Sequence, residues 1–233
     1  MTKSTNVNAD ELNYDKYEAK IYDNDIRRSI PGHDELHKII EETTREFSKK
    51  HKVKKVLDLG IGTGITSEKI LKLIPGASLT AVDFSEQMIK GAKKLLAKYK
   101  VEYLLGDYSE LDFGTDFDIV LSVIGFHHQN DEGKKKMFKK IYNSLKPDGI
   151  FILGDLVTYR DKNKAALNDA KHYHHLVENA RDEKALEEWA YHHKFLNVLT
   201  PIEDQITWLK DAGFSNIEIK YTYLNTALIT VKK

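Results

Sequence analysis

Apolar positions along the chain recur in two rhythms. Short runs such as Val56-Leu57-Asp58-Leu59, Leu79-Thr80-Ala81-Val82, Val101-Glu102-Tyr103-Leu104-Leu105, the segment from Phe117 to Ile124, and Ile150-Phe151-Ile152-Leu153 have the length and composition of buried strands. Between them the apolar residues fall at helical spacing. Leu36, Ile39, Ile40, Thr43 and Phe47 form one such face, and Ile65, Ile70, Leu71, Leu73 and Ile74 a second. Met88, Ile89, Ala92, Leu95 and Leu96 follow behind a capping Ser85, and then Met137, Phe138, Ile141 and Leu145. Strand alternating with helix predicts an α/β fold with a mostly parallel sheet and helices on both faces.

Lys146-Pro147-Asp148-Gly149 predicts a tight turn before the fifth strand. Residues 156–200 break the alternation and read mainly as helix. Thr200 then caps a last helix with Pro201 at its first position and Gly213 at its end. Ile217–Tyr221 and Ala227–Val231 predict a closing antiparallel hairpin.

The first strand runs into Gly60-Ile61-Gly62-Thr63-Gly64, and a helical pattern begins at once. Glycine backbone N–H groups can approach a ligand closely, and the helix start behind them carries unpaired donors and partial positive charge. The spacing is G-x-G-x-G, with Ile65 where the dinucleotide fingerprint G-x-G-x-x-G wants its third glycine. Asp83 ends the next apolar run, nineteen residues past Gly64, where a carboxylate can accept both ribose hydroxyls.

The run from Asp58 to Gly64, then Asp83, then Gly106-Asp107-Tyr108, resembles the successive motifs of class I S-adenosylmethionine-dependent methyltransferases. The resemblance implies a Rossmann-like seven-stranded sheet with a C-terminal antiparallel hairpin and a helical lid and insert. It divides a single methyltransferase domain into a lid (1–50), a cofactor-binding core (51–155), a substrate cover (156–200), and a terminal helix and hairpin (201–233). It implies S-adenosylmethionine as cofactor, with S-adenosylhomocysteine as product, around Asp58, Gly60, Gly62, Gly64 and Asp83. Phe84, Ser85 and Met88 lie beside the ribose carboxylate in that pattern. Gly106, Asp107 and Tyr108 lie by the adenine, where Asp107 accepts its amino N–H and Tyr108 stacks or hydrogen-bonds. Ser122 closes the fourth strand. Tyr14, Tyr17 and Tyr22 are candidates to cover the ligand, and Arg27 or Arg28 to meet its carboxylate.

His127 and His128 follow the fourth strand, where the transferable methyl group is expected. Either is a candidate general base, and a packing or substrate-contact role is the heavier alternative. Five of the ten histidines lie in the insert: His172, His174, His175, His192 and His193. His172 and His175 share a helix face, with His192 and His193 as further ligands of a possible metal shell. Adjacent histidines point to different sides of a helix, however, and no H-E-x-x-H pattern is present, so no metal is expected.

Composition narrows the partners. The 36 basic and 36 acidic residues balance, which gives no electrostatic support for nucleic acid. There is no cysteine, so disulfides and thiolate chemistry are excluded. No apolar run has the length of a membrane span, and the polar N-terminus lacks a signal-peptide core, so a cytoplasmic enzyme is expected. A small-molecule acceptor is the first choice, with a homodimer as one possible assembly. Ile30-Pro31-Gly32 and the chain length resemble the carboxy-S-adenosylmethionine synthase group, which is linked to transfer-RNA modification; that activity is the alternative. Neither Arg160 nor Arg181 matches that group's carboxylate-binding arginine securely. A non-catalytic cofactor-binding regulatory protein is a third reading.

Overall fold

The computed structural model describes Leu12, Tyr14–Lys16 and residues 18–233. Tyr17, one of the three tyrosines expected in a lid, lies outside the described residues, as do residues 1–10.

Seven strands form one sheet in the order β3-β2-β1-β4-β5-β7-β6. They are β1 (Lys55–Leu59), β2 (Ser78–Asp83), β3 (Lys100–Leu105), β4 (Phe117–Val123), β5 (Leu145–Leu156), β6 (Ser215–Tyr223) and β7 (Thr226–Lys232). The first five are parallel, and β7 runs antiparallel to both β5 and β6. This is the sheet that the alternation of patterns predicts. The expected turn at residues 146–149 takes the form of a bulge inside a longer β5. Phe117 pairs with Leu145 and Ile119 with Ile150, so the four residues between bulge out opposite Asp118. Asp148 takes a left-handed φ of 64° there, and Lys146 Nζ donates to Asp118 Oδ1 at 2.7 Å.

The central strands are apolar on both sides because helices cover both faces. One face buries Val56, Ala81, Ile119, Leu121 and Ile152 under α2 (His33–Lys50), α3 (Ile65–Leu73) and α4 (Glu86–Leu95). The other buries Leu57, Leu59, Val120, Phe151 and Leu153 under α5 (Asp131–Ser144) and α8 (Ile202–Ala212). Ser85 Oγ caps α4 by accepting from Met88 N at 3.2 Å, as the sequence predicts. Pro201 precedes α8 at its cap position, and Thr200 turns inward to donate to Asp131 instead of capping the helix.

The remaining helices gather beyond the carboxyl ends of the parallel strands. They are α1 (Ala19–Ser29), α6 (Lys162–Asn179), α7 (Glu183–Tyr191) and a π-helical turn over His192–Leu196. Arg181, ahead of α7, pairs with the buried Asp25 of α1 and so ties the N-terminal segment to the insert. The strand order reverses between β1 and β4, and the crevice of an open α/β sheet belongs at that point.

Candidate active site

The glycine turn after β1 is built so that its three glycines do different work. All three have left-handed φ: 83° at Gly60, 55° at Gly62 and 90° at Gly64. Among the described residues, a Cβ on Gly60 would meet nothing within 4 Å, and one on Gly62 would reach only the Tyr22 ring at 3.9 Å. These two positions border the cleft. A Cβ on Gly64 would instead press on Leu96 at 3.2 Å and on Ala92 at 3.4 Å. Gly64 therefore serves the approach of α3 to α4.

Two buried carboxylates hold the turn from below. Asp83 Oδ2 accepts the Gly62 N–H at 2.8 Å, and its Oδ1 accepts the Ser85 N–H at 2.9 Å. Asp58 Oδ2 accepts from Ser67 Oγ at 2.6 Å. Burial pushes Asp83 up to about 6 and Asp58 up to about 7, opposed by these hydrogen bonds. Thr63 Oγ1 donates to Asp23 Oδ1, which fastens α1 to the turn.

The cleft at this turn is lined by Asp23, Asp34 and Asp58 together with Arg27 and Lys69. Arg27 forks onto Asp34 through Nε and Nη2. Three carboxylates make the cleft poor for a pyrophosphate, whereas the mixture of signs suits an amino-acid zwitterion. An adenosyl amino acid with a sulfonium therefore fits these groups better than a dinucleotide does. Arg28 does not share in this. It lines a surface recess with Arg27, Arg181 and Asp25, and of the two arginines Arg27 alone also lines the cleft.

An N-terminal 3₁₀ turn, Tyr14–Lys16, lies over the ends of β2 and β4. Asp15 Oδ1 accepts from Ser85 Oγ at 2.6 Å and from Gln87 N at 3.2 Å, at the start of α4. The Tyr14 ring packs 5.7 Å from Phe84 and 5.6 Å from Tyr22. Tyr14 and Tyr22 thus sit over the segment that carries Asp83, Phe84 and Ser85.

Several predicted site residues face the core. Tyr108 is buried, stacks on Phe126 at 5.7 Å and donates to the Gly125 carbonyl at 3.2 Å. Both ring faces of a stacking partner are not on offer, because the aromatic core under β4 takes this side chain. Asp107 is exposed and its Oδ1 accepts from Ser109 N at 2.7 Å, the geometry of a turn acid. Gly106 has φ 146°, and a Cβ there would meet Leu111 at 3.1 Å. Ser122 is fully buried and donates to the Leu59 carbonyl at 2.7 Å, bridging β4 and β1. Met88 is buried as well.

A second cavity adjoins the first. Tyr22, Ile26 and Ile124 line both. Ile124 is β-branched yet holds a φ of 54°, and its N–H donates to Gly154 O at 2.7 Å. Such strain in a β-branched residue persists where the surrounding structure enforces it, and it concentrates at functional sites. The far wall comes from α6, α7 and the π turn: His172, Leu176, Glu188, Trp189, His192, His193 and Asn197. Among the described residues, no lysine or arginine lines this cavity, whereas Asp25 and Glu188 do.

His127 and His128 are both buried beside it. His127 Nδ1 lies 2.6 Å from Asp155 Oδ1. Burial pushes Asp155 up to about 7, opposed by the backbone N–H groups of Leu156 and His127 and by the Lys134 ammonium. The Asp155 carboxyl group thus engages Nδ1 of His127 whichever of the two carries the shared proton. Burial, followed by Lys134, holds His127 neutral, down to about 3. His128 Nδ1 donates to the Leu196 carbonyl at 3.1 Å, and burial holds this ring neutral too. His192 and His193, adjacent in the π turn, diverge. The His193 ring meets His172 at 4.6 Å, whereas His192 meets His128 at 5.2 Å. His175 turns away and donates to the Arg28 carbonyl at 2.9 Å. The four histidines named as a metal shell are therefore divided among three places. The Asp155 partner of His127 and the arrival of His192 beside His128 carry no local sequence signal.

Residues 56–149 match the family model of a methyltransferase domain. The chain is 30% identical to a carboxy-S-adenosyl-L-methionine synthase of Nautilia profundicola over 93% of this chain and 92% of that protein. Among solved structures it resembles an O-methyltransferase family protein from Burkholderia thailandensis, with a TM-score of 0.67 at 16% identity over 92% of this chain and 59% of that one. It also resembles phosphoethanolamine N-methyltransferase 2 of Haemonchus contortus in complex with S-adenosyl-L-methionine, with a TM-score of 0.57 at 18% identity over 82% of this chain and 52% of that one. The chain belongs to the class I S-adenosylmethionine-dependent methyltransferases.

Proposed function

We propose that this enzyme methylates a small, neutral or cationic acceptor that carries hydrogen-bond donors, bound in the cavity between α1, α6, α7 and the π turn. The observation that carries this reading is the polarity of the cavity wall. His172 Nε2 donates to Ser29 O and His193 Nε2 pairs with Asp169, which leaves an Nδ1 lone pair on each ring. Among the described residues, both Nδ1 atoms and Asn197 Oδ1 are buried without a hydrogen-bond partner, and all three residues line the cavity. Three unpaired acceptors beside Asp25 and Glu188 call for N–H or O–H groups on the ligand.

S-adenosylmethionine supplies an electrophilic methyl group on a sulfonium when bound. Gly60, Gly62 and Asp83 would hold its adenosyl part, and Asp23, Asp58 and Arg27 its charged amino-acid end. Tyr22 and Ile124, shared by the two cavities, would define the passage between donor and acceptor. Tyr14 and Asp15, docked on Phe84 and Ser85, would exclude water from the adenosyl side. The protein's task is then alignment and enclosure.

The second reading is carboxymethyl chemistry, favoured by the near full-length similarity to a carboxy-S-adenosyl-L-methionine synthase. A carboxylate-bearing substrate wants a cation in the cavity. Arg160 pairs with Asp204 and Arg181 with Asp25, and neither lines it. A screen of small-molecule extracts with S-adenosylmethionine labelled at the methyl group tests the proposal. Label should appear in an amine or polyol fraction; label confined to acidic metabolites or to macromolecules contradicts it.

A further inference from the structure

The rings of His127, His128 and His192 converge from two segments more than sixty residues apart in the chain. One nitrogen from each lies within 4.8 Å of the other two. The first pair comes from the 3₁₀ turn after β4 and the third from the π turn after α7. We propose that these three imidazoles bind a first-row divalent transition-metal ion, with its open coordination position toward the acceptor cavity.

Two observations carry the proposal. The first is how the rings are fixed. His127 Nδ1 is committed to the Asp155 carboxylate and His128 Nδ1 to the Leu196 carbonyl. That leaves Nε2 of each ring as the atom able to ligate, and a carboxylate or backbone carbonyl on the other nitrogen is the usual support of a metal-bound histidine. The second is position. His127 and His192 line the cavity assigned to the acceptor, so a bound ion would face it. Tyr14 Oη, 3.2 Å from His128 Nε2, lines the same cavity and would shift its hydrogen bond to a metal-bound water or ligand.

Three histidines with an open position are the donor set of catalytic zinc sites, and imidazole also suits iron, cobalt and nickel. In such a site an acceptor O–H or N–H group would coordinate through its heteroatom. Its acidity would rise, and its proton would pass to solvent as the lone pair became available. This role rests on the proposed acceptor cavity; metal binding itself does not.

The test uses the full chain without a histidine tag, dialysed and then titrated with zinc(II) or cobalt(II). The wild-type protein should retain one equivalent of metal by elemental analysis and show the ligand-field absorption of low-coordinate cobalt(II). His192→Ala should lose the bound ion and the absorption, and Asp155→Asn should weaken affinity by about 10–100-fold. His175→Ala, remote from the cluster, should behave as wild type. S-adenosylhomocysteine affinity, unchanged in His192→Ala, reports that the variant is folded. Wild-type protein that holds no stoichiometric zinc(II) or cobalt(II) overturns the site without any variant. So does folded His192→Ala that binds as wild type does. Metal binding without methyl transfer to any amine or polyol would sink the acceptor assignment and leave the metal site standing.

Discussion

The Asp83 carboxylate at the end of β2 accepts the backbone N–H of Gly62, across the β1–α3 turn, at 2.8 Å. One side chain thus sets the shape of the glycine turn and also marks the expected position of the ribose. Asp83→Ala should weaken S-adenosylhomocysteine binding by about 1.5–3 kcal/mol, roughly tenfold to hundredfold in Kd, as expected for a hydrogen bond to a charged group. Calorimetric titration measures this. Unchanged affinity would show that the ribose is held elsewhere.

Gly60 and Gly64 share a left-handed backbone but not a neighbourhood. Gly64→Ala combines the φ penalty with contact on Leu96 and Ala92, and should cost about 1–3 kcal/mol of stability. Gly60→Ala, with open space around it, should cost less stability but weaken cofactor binding. Denaturant unfolding alongside ligand titration separates the two effects. Equal stability losses would contradict the division of labour in the turn.

Burial raises the folded-state affinity of Asp58 for its proton, moving it up to about 7. A carboxylate raised in this way stabilises the fold fully below its unfolded value. That contribution is lost as pH rises from about 4 through about 7. The ligand-free protein should therefore lose melting temperature between pH 5 and pH 8. Asp58→Asn, which keeps an acceptor for Ser67, should flatten this trend and melt higher at pH 8, by about 2–4 °C for each kcal/mol relieved. A melting profile with the same slope in both proteins would place the pH dependence elsewhere.

Asp15 fastens the N-terminal turn to Ser85 and Gln87. Asp15→Ala removes a charge at the start of α4 together with two hydrogen bonds. Faster amide exchange around Tyr14–Lys16 is the expected consequence, with exchange in β1 and β4 unaltered. Exchange that spreads through the sheet would mean that the segment is part of the core.

Much of this was legible in the chain, and the reasons for the rest are physical. Local periodicity encodes strands and helices, and the glycine spacing with Asp58 and Asp83 encodes the turn at the switch point. The same local signal cannot separate Gly64 from Gly60, because the difference lies in Ala92 and Leu96, at the C-terminal end of α4. It cannot orient Tyr108, whose side is decided by Phe126 in the core. Nor does it show that Arg27 and not Arg28 lines the cleft and pairs with Asp34 across the Pro31-Gly32 bend. The histidine trio is the extreme case, since His127 and His192 meet only once the insert folds back over β4.

The central claim is that the enzyme delivers a methyl group into a cavity without a lysine or arginine in its described wall. Mass spectrometry of the reaction with methyl-labelled S-adenosylmethionine and a small-molecule extract tests it most directly. S-adenosylhomocysteine should form together with an acceptor heavier by one labelled methyl group. Accumulation of a carboxymethyl sulfonium would contradict it.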